Sequence, residues 1–305
     1  MTTPEVNVVT GAFSYTGRYI ARRLLAMGKA VRTLTGHPDR EDPFGARVRA
    51  FPYDFERPAA LAETLRGATT LYNTYWVRFP HGTAGFDKAV DNTRVLIEAA
   101  REAGVGRIVH ISVTNASEHS PLPYFRGKGL VESAVMSSSL SYAIIRPTLV
   151  FGTEDVLINN IAWLLRRFPL FAVPGSGDYR LQPVFAEDVA EIAVDAAHRD
   201  ENLVLDAAGP ETYTFDELVR LIAEKTRSKA RIVHLRPGPA LLLARLIGRF
   251  VNDVVLTRGE VEGLMSNLLV SDAAPAGQTR LGDWLDQNAD RVGTRYASEL
   301  KRHYR

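Results

Sequence analysis

The 305-residue chain predicts a doubly wound α/β domain with a parallel sheet, followed by a smaller, mostly helical domain. Three observations carry this expectation. Short apolar runs alternate with amphipathic helical stretches through the first half. The intervals between those runs are long enough for the helices that parallel crossovers require. After Gly152 the alternation stops and helical patterns dominate. The first domain is therefore expected over residues 1–150 and the second over 151–305, the latter returning a strand or helix to the main sheet.

The elements follow in order. "EVNVVT" is a short apolar run of strand type. The next segment puts Ile20, Leu24 and Met27 on one helical face and ends at Gly28, a natural C-cap. "AVRTLT" is a second strand. Pro58 and Gly67 bracket a helix with Leu61 and Leu65 on one stripe. "TTLYNTYW" is a third strand, and a long helix runs from Phe86 to Glu102, stopping at Gly104. "RIVHISV" and "SYAIIRPTLVF" are two further buried strands, separated by a helix near Lys128 to Met136. Beyond them, "FPLFAVPGSGDYRLQPV" reads as loop plus short strand. "FAEDVAEIAVDAA" is a helix with two acids in its first turn, and Thr214 to Glu217 forms a capping box.

Composition removes several function classes. Hydrophobic residues at 46% and charged residues at 24% are those of an ordinary globular protein. A net charge of +2, with arginine scattered rather than blocked, gives no bulk attraction to nucleic acid or to an anionic membrane. Cysteine is absent, which excludes disulfides, thiolate zinc sites and a cysteine nucleophile. The seven histidines show no ligand spacing, so no metal site is expected. No apolar run reaches the ~18 residues of a membrane span. "PALLLARLIGRFVNDVVL" is interrupted by Arg245, Arg249 and Asp253 and reads as an amphipathic helix, expected to pack on its own domain rather than to lie on a membrane. Met1 runs into a strand within a few residues, leaving no room for a signal peptide, so a cytoplasmic protein is expected. Neither the nucleophile elbow GxSxG nor the phosphate loop GxxxxGK[ST] occurs.

The first strand–helix junction, "VVTGAFSYTGRYIARRLLAMG", carries the first candidate site. A strand that ends in glycine and feeds a helix aims backbone N–H groups and the positive end of the helix dipole at one point, an anion site suited to pyrophosphate. Gly11 permits the tight turn and Gly17 lets the helix pack closely. The usual middle glycine is Ser14, whose hydroxyl can itself donate to phosphate. At the end of the second strand, where a carboxylate would bind the adenosine ribose diol, the chain has Thr35 and Gly36 instead. Arg18, Arg32, His37 and Arg40 are the nearby basic groups, so NADP(H) is expected in preference to NAD(H).

The second candidate site is "LPYFRGKGLVES", which places Tyr124 and Lys128 at i and i+4 on one helical face. A tyrosine near its free pKa of ~10 is a poor acid or base at neutral pH. A neighbouring ammonium favours the phenolate and brings the phenol toward working range. The pair follows "RIVHISV", whose C-terminal end faces the cofactor crevice of an open α/β sheet.

These motifs, with Asp54 in "YDF", "DNTRVLIEAA", "HISVTNAS", "IIRPTLVFG" and "FAEDVAE", occur in an order that resembles the extended and atypical branches of the short-chain dehydrogenase/reductase superfamily. The resemblance covers nearly the whole chain. "GRYIARRLLAMG" and "SVTNAS" look closest to the NAD(P)H-binding group that includes an accessory subunit of respiratory complex I; nitrogen-regulator-like proteins are more distant. The resemblance implies a Rossmann domain with Gly11, Ser14 and Gly17 at the pyrophosphate, and Tyr15, Thr16 and Arg18 in the same set. It implies Thr35 and His37 at the second strand, Asp54 near the adenine, and Asn73 and Tyr75 along the cofactor's path. Lys128 would bridge the nicotinamide ribose, Tyr124 would be the acid/base, and Arg146-Pro147 would end the last core strand, with Pro147 at the cofactor; Asn92 matches a structural helix asparagine.

The hydroxyl that joins the tyrosine in the extended branch falls on Val113 here; Ser112 and Thr114 flank it, on the opposite side of the strand. Two classes of function remain. One is an NAD(P)-dependent oxidoreductase, with an epimerase or dehydratase as its variant. It acts on a small organic and apolar substrate with Tyr124, Lys128 and Ser112 or Thr114, and takes substrate contacts from Phe151 to Asn160 and Phe171 to Gln182. The other is a non-catalytic cofactor binder that serves a protein partner. Trp76 either lines or fills the pocket.

Overall fold

A computed structural model describes residues 5–303; the first four residues, over which no leader is expected, lie outside them. In chain order the elements are β1 (Val6–Thr10), α1 (Thr16–Ala26), β2 (Ala30–Thr35), β3 (Val48–Pro52), α2 (Pro58–Leu65), β4 (Ala68–Asn73), α3 (Phe86–Glu102), β5 (Arg107–Ile111), α4 (Pro123–Met136) and β6 (Ser141–Pro147). Next come β7 (Leu149–Phe151), α5 (Leu157–Arg167), β8 (Leu170–Pro174), β9 (Arg180–Leu181), β10 (Pro183–Phe185), α6 (Ala186–Ala197) and β11 (Leu203–Ala207). The chain then forms β12 (Tyr213–Thr214), α7 (Phe215–Lys225), β13 (Arg231–Leu235), α8 (Pro237–Val251), α9 (Arg258–Met265), α10 (Leu281–Asn288) and α11 (Glu299–His303).

Two compact units result. The first runs to Pro147 and takes in Ala186–Ala207; the second comprises Thr148–Phe185 and the residues from Ala208 onward. The first is built on a seven-stranded sheet in the order β11-β6-β5-β4-β1-β2-β3, parallel throughout. The direction of winding reverses between β1 and β4, so the loops leaving their C-terminal ends diverge and open the crevice typical of such sheets.

Burial explains the layering. β5 is buried at all five positions, as a central strand covered on both faces must be. Val8, Leu71, Ile108 and Ile144 on one face of the sheet pack against Leu61 of α2, Leu96 of α3 and Val131 of α4. Ile20 and Leu24 of α1 are fully buried, each side chain worth about 2 kcal/mol of transfer free energy. Arg23 of α1 also pairs with Glu191 of α6 at 3.0 Å. Met27, expected on the same stripe, lies past the helix end and is exposed.

The structure departs from the sequence expectation at four places. β3 is an additional strand at the sheet edge. α4 begins at Pro123, not near Lys128, which brings Tyr124 into its first turn. "SYAIIRPTLVF" is two strands: Pro147 has no N–H to continue the ladder, and β7 leaves to pair with β10 in the second unit. α8 packs through its small residues Ala240, Ala244 and Gly248, and Leu242, Leu243 and Leu246 face outward.

The second unit has its own core, including Phe151, Phe171, Leu218 and Trp284. It is mostly helical, with three two-stranded sheets, β10–β7, β12–β9 and β13–β8. Phe151, Ile158, Phe171, Tyr179 and Leu181, from the segments expected to meet substrate, are part of that core. No helix among the described residues is long and apolar enough to cross a membrane.

Candidate active site

Gly11 ends β1 in the left-handed region, at φ 66°, and its N–H donates to the Leu34 carbonyl at 2.8 Å. The Ser14 N–H closes the turn on the Gly11 carbonyl at 2.9 Å. Gly17 makes the close approach possible: a Cβ there would lie 2.5 Å from the Gly11 oxygen and 2.7 Å from the Thr10 oxygen, backbone atoms with no room to yield. Tyr15 at the N-cap of α1 supplies no side-chain cap bond and Thr16 opens the helix; the Arg18 N–H is taken by the Tyr15 carbonyl at 3.0 Å, which leaves the Thr16 and Gly17 amides as the first-turn donors for an anion. Arg18 donates from Nη2 to the Phe13 carbonyl at 3.0 Å, which holds a guanidinium at the loop. A glycine cradle, an uncapped helix start and a basic side chain at the loop fit a dinucleotide's pyrophosphate.

The C-terminal ends of β1 and β4 are stitched together. The Thr74 N–H donates to Thr10 Oγ1 at 2.6 Å, and Thr74 Oγ1 donates to the Thr10 carbonyl at 2.5 Å. Asn73 is fully buried: its Oδ1 accepts from the Tyr75 N–H at 3.1 Å, and its Nδ2 lies 3.1 Å from His110 Nδ1. Tyr75 in turn accepts from Asn92 Nδ2 at 2.8 Å. The rings of Tyr53, Phe55 and Tyr75 form a cluster with centroids 5.0–5.2 Å apart. Burial pushes the phenols of Tyr53 and Tyr75 up, so both stay neutral.

At the end of β2, Thr35 Oγ1 accepts from the His37 N–H at 3.1 Å, with no carboxylate at either position. Arg32 does not belong to this site: its guanidinium donates to the carbonyls of Thr64 and Arg66 at the end of α2. Asp54 is paired with Arg57 at 2.7 Å. The aromatic residues on either side of Asp54 in "YDF", Tyr53 and Phe55, build the ring cluster and are a signal the sequence holds beside the carboxylate.

Tyr124 and Lys128 stand one turn apart on α4, and both meet Trp76. The Tyr124 ring is edge-on to Trp76 at 6.0 Å and to Phe86 at 5.8 Å. Lys128 is buried, donates to the Ile111 carbonyl at 2.8 Å and has its Nζ 4.8 Å from the Trp76 ring centroid, a cation–π contact. Gly127 leaves room for the indole: a Cβ would come within 2.8 Å of Trp76 Cη2. Desolvation pulls the Lys128 ammonium down to about 7, partly offset by Glu132. Glu132 is buried and binds Arg146 through two hydrogen bonds, the Nε contact being 2.9 Å. Arg146 and Pro147 end β6.

The two candidate hydroxyls separate here. Thr114 Oγ1 donates to Asp206 Oδ2 at 3.2 Å, and the Thr114 N–H donates to the Pro147 carbonyl at 2.9 Å. Ser112 Oγ is buried with no hydrogen-bond partner among the described residues, as are His110 Nε2 and Trp76 Nε1. Burial and the nearby Lys128 charge hold His110 well below its ordinary pKa, so the ring is neutral. With Nδ1 accepting from Asn73, its proton is on Nε2. Buried polar groups are ordinarily paired, so each of these three calls for a partner that the described residues do not supply.

A family model described as NAD(P)H-binding matches residues 11–158. The chain is 25% identical over 289 residues to the mitochondrial NADH dehydrogenase [ubiquinone] 1 alpha subcomplex subunit 9 of Arabidopsis thaliana, covering 88% of this chain and 72% of that one. It is 30% identical over 244 residues to a ceramide reductase of Caulobacter vibrioides, covering 78% and 76%. Among solved structures, Citrobacter sp. triphenylmethane reductase complexed with NADP(H) shares the fold with a TM-score of 0.76 at 17% identity, covering 93% of this chain and 99% of that one.

Proposed function

Because the chain belongs to the extended short-chain dehydrogenase/reductase family of NAD(P)H-binding proteins, we propose that it is an NAD(P)H-dependent reductase of an apolar carbonyl compound. The observation that carries this reading is the Tyr124–Lys128 pair on one helical turn, with the buried, unpartnered Ser112 hydroxyl on the residue after Ile111, whose carbonyl Lys128 binds. When bound, the dinucleotide supplies or accepts the hydride. Tyr124 delivers its phenolic proton to the substrate oxygen and Ser112 donates a hydrogen bond to that oxygen. Lys128, as an ammonium, stabilises the phenolate left behind. Ser112 takes this role in preference to Thr114, which Asp206 engages. Trp76 and Phe86 beside Tyr124 support an apolar substrate.

NADP(H) is favoured over NAD(H) by the missing carboxylate at Thr35 and by Arg18, His37 and Arg40 around the loops, Arg32 being engaged at the end of α2 instead. The absence of cysteine suits a cytoplasmic, reducing setting.

The test is NADPH oxidation with a panel of hydrophobic ketones and aldehydes. Tyr124→Phe keeps the ring contacts and is expected to lower turnover by about a hundredfold or more with nucleotide affinity unchanged. Equal turnover by the variant would overturn the assignment. A second reading, a cofactor binder that serves a protein partner without turnover, is favoured by the indole stacked over Lys128. Tight NADPH binding with no oxidation of any substrate in the panel would select it.

A further inference from the structure

Helix α8 presents the reverse of an ordinary surface helix. Its buried positions are Ala240, Ala244 and Gly248, small residues four apart that bring its backbone close to the second unit. Its large apolar residues point away: Leu242 is 59% exposed, Leu246 57%, Phe250 78% and Leu243 40%. At about 100° per residue these four fill an arc of roughly 100° opposite the small-residue face. Arg245 and Arg249 are exposed and border one edge of that arc, and the helix carries no acidic residue. The preceding residue, Arg236, is exposed as well.

We propose that α8 is an interfacial helix that docks the protein on an anionic phospholipid surface, its Leu242–Leu246–Phe250 stripe entering the acyl boundary and Arg245 and Arg249 reaching the phosphates. An apolar stripe with arginines at its border is the pattern of helices that lie in the plane of a bilayer. The arginine stems run along the apolar boundary while their guanidiniums stay in the headgroup layer. Charge selects the occupant. A second copy of the chain would bring two acid-free, arginine-bearing helices together, whereas an anionic leaflet answers both the stripe and the cations. At 15 residues the helix spans about 22 Å, long enough to lie along a surface and too short to cross one. The proposal is independent of turnover at Tyr124.

The test is co-sedimentation of the full chain at low salt with vesicles of phosphatidylcholine containing about one third phosphatidylglycerol, against phosphatidylcholine alone. Binding to the anionic vesicles is expected, with little to the neutral ones. Leu246→Gln with Phe250→Ser is expected to weaken binding at least about tenfold, and Arg245→Gln with Arg249→Gln several-fold. All four side chains are exposed, so thermal melting curves of both variants superimpose on the parent's. Failure to sediment with anionic vesicles, or equal binding by the apolar double variant, would overturn the proposal. A dimer in solution that Leu246→Gln with Phe250→Ser dissociates would do so too, by assigning the face to a second copy.

Discussion

Replacing Lys128 with methionine is expected to remove a pH dependence that the native chain carries. The amine is buried, and desolvation holds its ammonium at about 7 in the folded chain. In the unfolded chain it titrates near the ordinary lysine value of ~10.4. Between those two values the unfolded chain binds more protons than the folded one. Native stability therefore rises with pH through this window and is flat, as far as Lys128 is concerned, below about pH 7. Each pH unit inside the window is worth about 1.4 kcal/mol, so between about pH 7.5 and about pH 9.5 the native chain gains roughly 2–3 kcal/mol from this group alone. Methionine has a similar length, keeps an apolar contact with Trp76 and has no proton to lose. The assay is the melting temperature of both proteins at the two pH values, without nucleotide. The difference between variant and parent is expected to change by roughly 3–5 °C, the parent gaining with alkalinity. Parallel curves would mean that the amine titrates alike in both states, and would refute the account of Lys128 as a desolvated group under an indole.

Two further outcomes follow from the same helix. Glu132→Gln preserves volume but leaves Arg146 facing a neutral amide; with Arg146 partly exposed, a loss of about 2 kcal/mol is expected, read as a lower melting temperature. An unchanged melting temperature would show the pair to be energetically idle. Gly127→Ala pushes a methyl against the Trp76 ring and is expected to shift the indole off Lys128, at a cost of about 1–3 kcal/mol and with an altered near-ultraviolet dichroism spectrum. A spectrum identical to the parent's would contradict the packing described.

What the sequence discloses depends on whether the information is local. The β1–α1 junction is legible because the glycines, the strand and the helix are contiguous, and one turn fixes their geometry. The Tyr124–Lys128 spacing is legible for the same reason. β3 is hidden because "VRAFP" mixes buried, half-buried and exposed positions at a sheet edge and follows neither period. α8 shows a different limit: periodicity reports that a helix has two faces, not which one is turned inward. Ala240, Ala244 and Gly248 were the clue, since a close-packed helix buries small residues. The choice between Ser112 and Thr114 required Asp206, a partner 92 residues further on, and the cover over Lys128 required Trp76 from the loop that follows β4. No spacing rule contains such pairings.

The most direct measurement is hydrogen exchange of the full chain with and without NADPH, and with NADH at the same concentration. Slowed exchange of the amides from Gly11 to Arg18 and from Asn73 to Trp76, greater with NADPH than with NADH, is the result expected. Unchanged exchange over Gly11 to Arg18 at saturating NADPH would contradict the claim that the loop after the first strand holds the dinucleotide.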